Sequence, residues 1–419
     1  MIQVYKFGGA SVKDAQGVEN LLKVLRKKEV KNLLMVVSAM GKTTNNLEKV
    51  VHQYFSNSGD LQASVSFVYE YHYEIISNLF QNKSHPVFND LVSKFESLKL
   101  FLKTNKSKSH AYVYDQVVSY GELISTAIID HYLNDQGTKC TWLDARLCIK
   151  TDDYYRNAKV DWEMTQAHIK DSVSESGITI TQGFLGAEKR NNFTTTLGRE
   201  GSDYTAAIFA YCLNAQDVTI WKDVPGVLNA DPRHFSETQL LRHISYREAI
   251  ELAFYGASVI HPKTLQPLQR KEIPLYVNSF LNPMEQGTCV GKGVTLDPLV
   301  SCFILKKNQV LISLSSLDFS FMMEDNISEV FDLLHRFKMR VELIQNSAIS
   351  FSVCVDNKYN QLEPLLSKLR EKYKVHWNDG VTLYTIRHSQ PSEIKVLSKN
   401  KTVLLKQESR ETVQLVVQE

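Results

Sequence analysis

The first forty residues carry the pattern that most constrains the fold. Residues 2–7 and 32–37 are short runs of apolar and aromatic side chains, typical of strands buried in a sheet. The pair Gly8-Gly9 follows the first run, and residues 13–28 have the pattern of a helix. A strand, a glycine turn, a helix and a strand in this order indicate a parallel βαβ unit with a right-handed crossover. The chain therefore begins with an α/β domain.

The same alternation continues to about residue 295, with one interruption. Residues 45 to about 105 place aromatic and aliphatic side chains at three- and four-residue spacings, which predicts a helical insertion. Strands are then predicted over residues 178–183, 218–224 and 273–280, and helices over residues 204–213 and 246–255.

The pattern changes after Asp297. Strands over residues 310–315, 340–343 and 349–355, with helices over residues 326–338 and 361–372, give a βαββα outline. Asn326 is expected to cap the first of these helices, with Glu329 three residues further on. A weak internal repeat, in which residues 343–347 are echoed by residues 405–409, indicates a second small unit of the same kind.

Composition argues against several classes of function. Of the 419 residues, 43% are hydrophobic and 22% charged, and the net charge is only +2, so no basic field favours a nucleic-acid or membrane partner. The six cysteines form no C-x-x-C pair, which favours reduced, buried thiols over a zinc site. The chain start lacks the pattern of a signal peptide, and no run approaches eighteen apolar residues, so a cytoplasmic protein is expected.

Two segments can bind anions. In the first, residues 6–11, Lys6 and the Gly8-Gly9 amides meet where a strand ends and a helix is about to begin. This loop is neither Walker A nor G-x-G-x-x-G, and a plain turn is the alternative. In the second, residues 194–207, Arg199 can clamp a carboxylate and Asp203 can organise lysines or a metal; the alternative is an N-cap and a surface charge.

Seven segments together resemble the aspartokinases, in that family's order and over essentially the whole chain. They are residues 6–11, residues 38–41 with Thr43 and Thr44, Gly121-Glu122, and residues 195–205, 221–226, 230–233 and 256–262.

The resemblance implies a fold and a domain plan. It implies the amino-acid kinase fold, α/β with a mostly parallel sheet between helical layers, over residues 1–297. Regulatory ACT domains of the α+β ferredoxin-like type would follow over residues 298–419. The first ACT domain is expected over residues 309–378, and a shorter second one over residues 298–308 plus 379–419. No homoserine dehydrogenase segment follows Glu419, so the monofunctional form is expected.

The resemblance also implies an activity. Aspartokinases transfer the γ-phosphoryl group of ATP to the side-chain carboxylate of L-aspartate, giving 4-phospho-L-aspartate, the first step towards lysine, threonine and methionine. This nucleophile is already ionised at neutral pH, so no strong general base is needed. Mg²⁺ would accompany ATP, largely through water and the nucleotide. No tightly bound organic cofactor and no metal ligands from the protein are expected.

Site residues follow from the matched motifs. Lys6 and Asp203 would be the catalytic pair, while Glu122 would face the substrate ammonium and Arg199 its carboxylate. The expected aspartate-binding residues are Ser38, Thr44, Glu122, Arg199 and Ser202. The expected ATP-binding residues are Lys6, Gly8, Gly9, Ser11, Lys222, Asp223, Arg233 and Lys263.

Three positions depart from the family pattern. Ala10 stands where Thr is usual, Leu228 where an aromatic residue is frequent, and Ser258 where many relatives have Lys. Because Lys222 and Lys263 are close in sequence, we hypothesise that one of them supplies the missing charge.

Residues 341–347 resemble the ACT segment whose loop binds an amino-acid effector between paired domains. Gln345, Asn346 and Ser347 are therefore candidate effector-binding residues, with lysine or threonine as effector and a homodimer formed through the ACT domains. The second ACT unit, however, is expected to stop before a last helix and strand.

Two alternatives remain at this stage. One is a related enzyme that phosphorylates glutamate, acetylglutamate or carbamate; residues 221–233 and the ACT-like region favour aspartate over these. The other is a catalytically silent amino-acid sensor. Retention of Lys6, Glu122, Arg199 and Asp203 argues against a sensor, which has no need of a phosphate-facing lysine.

Overall fold

The structure, a computed structural model, describes residues 1–174, 176–257, 260–318 and 320–418, so Ser258 lies outside the described residues. The chain forms two compact units. The first comprises Met1–Val227, Leu240–Ile250 and Val259–Asp297, and the second comprises Leu228–Gln239, Glu251–Ser258 and Pro298–Glu419.

An eight-stranded sheet in the order β3-β5-β2-β1-β8-β10-β11-β9 forms the centre of the first unit, beside a three-stranded sheet β4-β6-β7. The strands up to residue 291 are β1 (Gln3–Phe7), β2 (Asn32–Val37), β3 (Cys140–Leu143), β4 (Lys150–Thr151), β5 (Gly177–Gln182), β6 (Leu185–Glu188), β7 (Thr194–Thr196), β8 (Val218–Lys222), β9 (His243–Ser245), β10 (Leu275–Ser279) and β11 (Thr288–Gly291). The helices up to residue 271 are α1 (Ala15–Lys28), α2 (Thr43–Ser56), α3 (Leu61–Leu79), α4 (Pro86–Thr104), α5 (His110–Val118), α6 (Tyr120–Asp135), α7 (Ala145–Cys148), α8 (Trp162–Ser172), α9 (Gly201–Leu213), α10 (Tyr246–Tyr255) and α11 (Pro262–Lys271).

Strand β1 lies in the middle of this sheet and pairs in parallel with β2 on one side and β8 on the other. Its apolar side chains are buried, and the Phe7 ring stacks on Trp221 with 6.2 Å between centroids. The predicted βαβ unit and the α/β fold class are confirmed. The first six strands in the sheet order, β3, β5, β2, β1, β8 and β10, pair in parallel. Their carboxyl ends therefore meet at one edge of the sheet, where ligands bind in such folds.

The helical insertion predicted over residues 45 to about 105 corresponds to α2, α3 and α4, which together span Thr43–Thr104. Two further helices, α5 and α6, follow it and end at Asp135. Pro86, which interrupts the pattern, is the first residue of α4, a position where its missing N–H is harmless.

The second unit is built on a six-stranded antiparallel sheet in the order β13-β14-β12-β15-β17-β16. Its elements are β12 (Cys302–Ser316), α12 (Glu324–Arg336), β13 (Arg340–Asn346), β14 (Ser350–Asp356), α13 (Leu362–Arg370), β15 (Tyr373–Arg387), α14 (Pro391–Ser398), β16 (Thr402–Glu408) and β17 (Thr412–Gln418). The elements from β12 to β15 follow the ferredoxin-like βαββαβ order. The pairing of β12 with β15 shifts register between Lys306 and Gln309, and the two strands serve both halves of the sheet. The first part of β12, up to Lys306, pairs with the second part of β15, which in turn pairs with β17.

Two of the sequence predictions, the cap of α12 and the burial of the cysteines, differ from the structure. The expectation that Asn326 caps α12 is wrong: the helix begins at Glu324, and the Asn326 side chain accepts a 3.0 Å hydrogen bond from the backbone N–H of Met323. Asn326 therefore lies in the first turn and reaches back to the cap. All six cysteines are free thiols as predicted, but Cys140 and Cys289 are only partly buried. Among the described helices, none has the length and apolar content needed to cross a bilayer.

Candidate active site

The carboxyl end of β1 brings three charged side chains together. Lys6 Nζ lies 2.7 Å from one carboxylate oxygen of Asp203, and Lys222 Nζ lies 3.8 Å from the other. Burial alone would raise the pKa of Asp203, but the two ammonium groups and their hydrogen bonds hold it below its usual value. Two lysines thus share one buried carboxylate, which leaves the cluster with a net positive charge.

Glycine lets two loops approach each other beside this cluster. A Cβ on Gly9 would lie 2.5 Å from the carbonyl oxygen of Ala39, closer than any side chain tolerates. The Gly41 N–H donates a 3.0 Å hydrogen bond to the Gly9 carbonyl, and Gly41 has φ +55°. A Cβ on Gly8 would lie 3.4 Å from Lys6 Nζ, so the Gly8 backbone is adjacent to the ammonium group.

Glu122, near the start of α6, is a buried carboxylate with little solvation. Its Oε1 accepts a 3.3 Å hydrogen bond from the Ala39 N–H, and its Oε2 has no hydrogen-bond partner among the described residues. Burial raises the pKa of Glu122 to about 8, against the opposing effect of the Ala39 N–H. A buried acidic group with an open acceptor is suited to a cationic ligand group.

The start of α9 forms another wall of the same site. Gly198 and Glu200 have φ of +79° and +54°, which turns the chain so that α9 begins at Gly201. The first N–H groups of a helix carry partial positive charge and bind anions. Asp203 lies in this first turn, and Arg199 is an exposed residue two positions before the helix begins.

Most of the predicted site residues line a single cavity of about 530 Å³. Those that do are Lys6, Gly9, Ser38, Thr44, Glu122, Arg199, Ser202, Asp203 and Lys222. Gly8 and Ser11 belong to the adjoining turn, in which the Ser11 N–H donates to the Gly8 carbonyl. Asp223 is an exposed residue that directly follows β8.

Two predicted ATP-binding residues are not among those that line this cavity. Lys263 lines a second cavity of about 350 Å³, where its Nζ donates a 2.6 Å hydrogen bond to Asn157. Arg233 belongs to the second unit, is highly exposed and pairs with Asp231 at 2.6 Å. The candidate effector residues Gln345, Asn346 and Ser347 are exposed at the end of β13.

Three lining residues lie outside every segment that the sequence analysis singled out: Tyr114, Arg156 and Phe184. Two of them have positive φ, +69° for Arg156 and +70° for Phe184, as does Glu200 at +54°. Non-glycine residues adopt this conformation seldom, and it persists where the surrounding structure enforces it, often at functional sites. No sequence pattern marks such residues.

The cavity therefore combines an anion-binding wall with a cation-binding pocket. The wall consists of Lys6, Lys222, the glycine amides and the start of α9, and the pocket is formed around Glu122. Among the described residues, no group of three or more His, Cys, Asp and Glu side chains is arranged to hold a metal ion. An arrangement of this kind suits a zwitterionic ligand next to a phosphorylated one, with charge neutralisation as its main chemical effect.

The chain is similar to known proteins both in sequence and in structure. The sequence model of the amino acid kinase family matches residues 1–279. The lysine-sensitive aspartokinase 3 of Escherichia coli (strain K12) is 31% identical over 398 residues, covering 92% of this chain and 86% of that protein. Two crystal structures of E. coli aspartokinase III, each 28% identical to this chain, are also similar. The complex with lysine and aspartate (T-state) has a TM-score of 0.83 and covers 99% of this chain and 96% of that chain. The complex with aspartate and ADP (R-state) has a TM-score of 0.80 and covers 100% and 96%.

Proposed function

The chain belongs to the aspartokinases of the amino acid kinase family, and from this premise we propose how its cavity transfers the γ-phosphoryl group of ATP to the side-chain carboxylate of L-aspartate. One observation carries the proposal: the buried cluster of Lys6, Asp203 and Lys222 lies in the same cavity as the buried carboxyl of Glu122. We also propose that residues 1–297 form the catalytic domain and that residues 298–419 form a regulatory region.

The reaction needs positioning and charge neutralisation. A carboxylate oxygen of aspartate attacks the γ-phosphorus, the bond from that phosphorus to the β,γ-bridging oxygen breaks, and ADP leaves with the bonding electrons. No proton has to be removed, because the acceptor carboxylate is ionised at neutral pH. Lys6 neutralises charge on the transferred group, and Asp203 holds Lys6 and Lys222 in place against their mutual repulsion.

Aspartate would bind through its charged groups. Glu122 takes the ammonium, for which its open Oε2 is suited, and Arg199 takes the α-carboxylate. Ser38, Thr44 and Ser202 line the same cavity and supply hydroxyl groups. The E. coli structure solved with aspartate and ADP supports a site that holds both ligands.

ATP would bind on the glycine side of the cavity. The amides of Gly8 and Gly9 and the turn at Ser11 face the phosphates, and Lys222 adds a positive charge. Mg²⁺ enters as part of the MgATP substrate, held by phosphate oxygens and water, which is the coordination that this ion prefers. Asp223, which directly follows β8, is a further proposed nucleotide contact, and we keep Lys263 as a candidate although it lines the second cavity.

Regulation would use the second unit. We propose a homodimer formed through the ACT domains, with lysine or threonine bound at Gln345, Asn346 and Ser347. Strand β13 is an edge of the six-stranded sheet, and such an edge offers unpaired backbone groups to a partner. The E. coli relative is lysine-sensitive, and its T-state structure contains lysine.

A hydroxamate assay tests the proposed reaction. Purified full-length chain, MgATP and hydroxylamine should give a hydroxamate with L-aspartate and not with L-glutamate or N-acetyl-L-glutamate. Lys6→Ala should lower the rate about a hundredfold or more, as for loss of one charge-stabilising group. Lys23→Ala removes an exposed lysine on α1 and should leave the rate unchanged. Product with glutamate alone, or full activity of Lys6→Ala, would refute the proposal.

A further inference from the structure

Arg156 lines the active-site cavity. It lies outside the two predicted anion-binding segments and outside the seven segments that resemble the aspartokinases. It belongs to the segment between β4 and α8, and it has φ +69°. An arginine is seldom found in this left-handed region, where it is strained relative to glycine. A charged residue in a strained backbone conformation at the wall of a substrate cavity is an outlier, and such outliers are often functional.

The backbone of Arg156 is held by a buried carboxylate. Asp115, in the second half of α5, accepts hydrogen bonds from the Arg156 N–H at 3.1 and 2.9 Å. The same carboxylate accepts hydrogen bonds from the N–H and hydroxyl of Thr196, each at 2.8 Å. Strand β7, which contains Thr196, leads directly into Gly198 and Arg199. Asp115 therefore fixes Arg156 relative to the segment that carries Arg199.

The side chain of Arg156 is also positioned. Its guanidinium carbon lies 4.3 Å from the centre of the Tyr114 ring, and Tyr114 in turn donates a 2.7 Å hydrogen bond to Glu48. A guanidinium stacked on an aromatic ring keeps its N–H groups free at the edges to bind a planar anion. Tyr114 lines the same cavity, so this platform faces the ligand space.

The charges of the cavity make Arg156 available to a ligand. Lys6 and Lys222 are both paired with Asp203. Among the residues that the structure describes, neither Arg156 nor Arg199 forms an ion pair with a carboxylate. The cavity thus offers two guanidinium groups for carboxylates, and an aspartate ligand carries two carboxylates.

We propose that Arg156 is a specificity-determining residue that binds the side-chain carboxylate of aspartate, which accepts the phosphoryl group. Arg199 binds the other carboxylate, the α-carboxylate. The inference rests on the proposed function. A bidentate guanidinium contact orients the side-chain carboxylate towards the phosphorus and selects a carboxylate over an amide, because asparagine would leave the guanidinium without an anionic partner.

Arg156→Gly separates this role from a structural one. Glycine accepts φ +69° without strain, so the variant should keep or raise the melting temperature of the full-length protein. Loss of a charge-assisted bidentate contact should raise the KM for aspartate about ten- to hundredfold. The KM for MgATP should change less than about twofold, and Arg156→Lys should recover part of the aspartate affinity.

Glu29→Gly is the matched control, because Glu29 is an exposed charged residue with φ +48° at the end of α1. It should change neither KM. If Arg156→Gly leaves the aspartate KM unchanged, or alters both KM values equally, Arg156 is only a surface residue packed on Tyr114 and the inference is wrong. If the wild-type chain does not phosphorylate aspartate at all, it is the proposed function that fails.

Discussion

Glu122 is the residue whose ionisation should appear most directly in the kinetics. Its pKa is raised to about 8 by burial, so at pH 6 to 7 the free protein holds it mainly protonated. The ammonium of aspartate needs the ionised form, and binding below pH 8 must therefore release a proton. We expect the KM for aspartate to fall as pH rises from 6 to 8, by up to about tenfold per pH unit, and to level off above that range.

Initial rates measured across this pH range test the prediction, with Glu122→Gln as the control. The amide cannot ionise, so its aspartate KM should be higher and independent of pH over the same range. An unchanged slope in Glu122→Gln would assign the pH dependence to another group.

Ser258 stands where many aspartokinases have lysine, and our hypothesis is that Lys222 or Lys263 supplies the missing charge. Lys222 lines the active-site cavity and lies 3.8 Å from Asp203, whereas Lys263 lines the second cavity. Lys222→Ala should therefore raise the KM for MgATP more than Lys263→Ala does, by roughly tenfold, the effect of one charge-assisted contact. Equal KM values for both variants and the wild type would eliminate both lysines as the replacement.

The site could be predicted from the sequence only where it uses motif residues. Lys6, Gly9 and Asp203 stand in segments whose composition signals anion binding, and all three line the cavity. Tyr114 and Arg156 could not be found in this way. They depend on a buried aspartate that joins distant segments and on a left-handed backbone, neither of which leaves a pattern in the sequence.

The loop after β1 depends on Gly9 for its close approach to the loop after β2. Gly9→Ala would place a methyl group 2.5 Å from the Ala39 carbonyl oxygen, so the loops after β1 and β2 would have to separate. We expect the free energy of unfolding to fall by about 1–3 kcal/mol, as in other overpacked sites, and the rate to fall with it. Thermal unfolding and hydroxamate assays on one preparation would measure both effects.

Gly291→Ala is the matched control, since a Cβ there would have no atom within 4 Å. It should unfold and turn over like the wild type. If Gly9→Ala also behaved like the wild type, the close approach of the two loops would not be needed for activity.

Length did not decide which elements could be predicted, since β15 spans fifteen residues and was not identified from the sequence. β1 and β2 are runs of buried apolar residues, and α9 and α12 have clear apolar patterns, so all four were identified. β3, β9 and β11 have four residues or fewer, and β3 and β9 are largely half-buried; such segments look like loops in the sequence. The boundary of α12 was misplaced because Asn326 favours a cap, while the backbone became helical two residues earlier.

The proposed regulation implies a homodimer whose kinase activity is inhibited by an amino-acid effector. Light scattering should give twice the chain mass of 47.9 kDa. L-lysine or L-threonine should inhibit the kinase, and Gln345→Ala should weaken that inhibition while leaving the uninhibited rate unchanged. Gln407→Ala, at the repeat-related position in β16, should leave inhibition as in the wild type. A monomer, or a flat response to both amino acids, would remove the regulatory part of the proposal.

In the proposed reaction, one positively charged cavity beside Lys6 moves the terminal phosphoryl group of ATP onto a carboxylate of aspartate. ³¹P NMR of the full-length chain with MgATP and L-aspartate measures this transfer directly. We predict an acyl-phosphate signal that grows as the γ-phosphate signal of ATP falls, and its loss in Lys6→Ala. ATP consumption that yields only inorganic phosphate, or an acyl phosphate formed equally well by Lys6→Ala, would contradict the account.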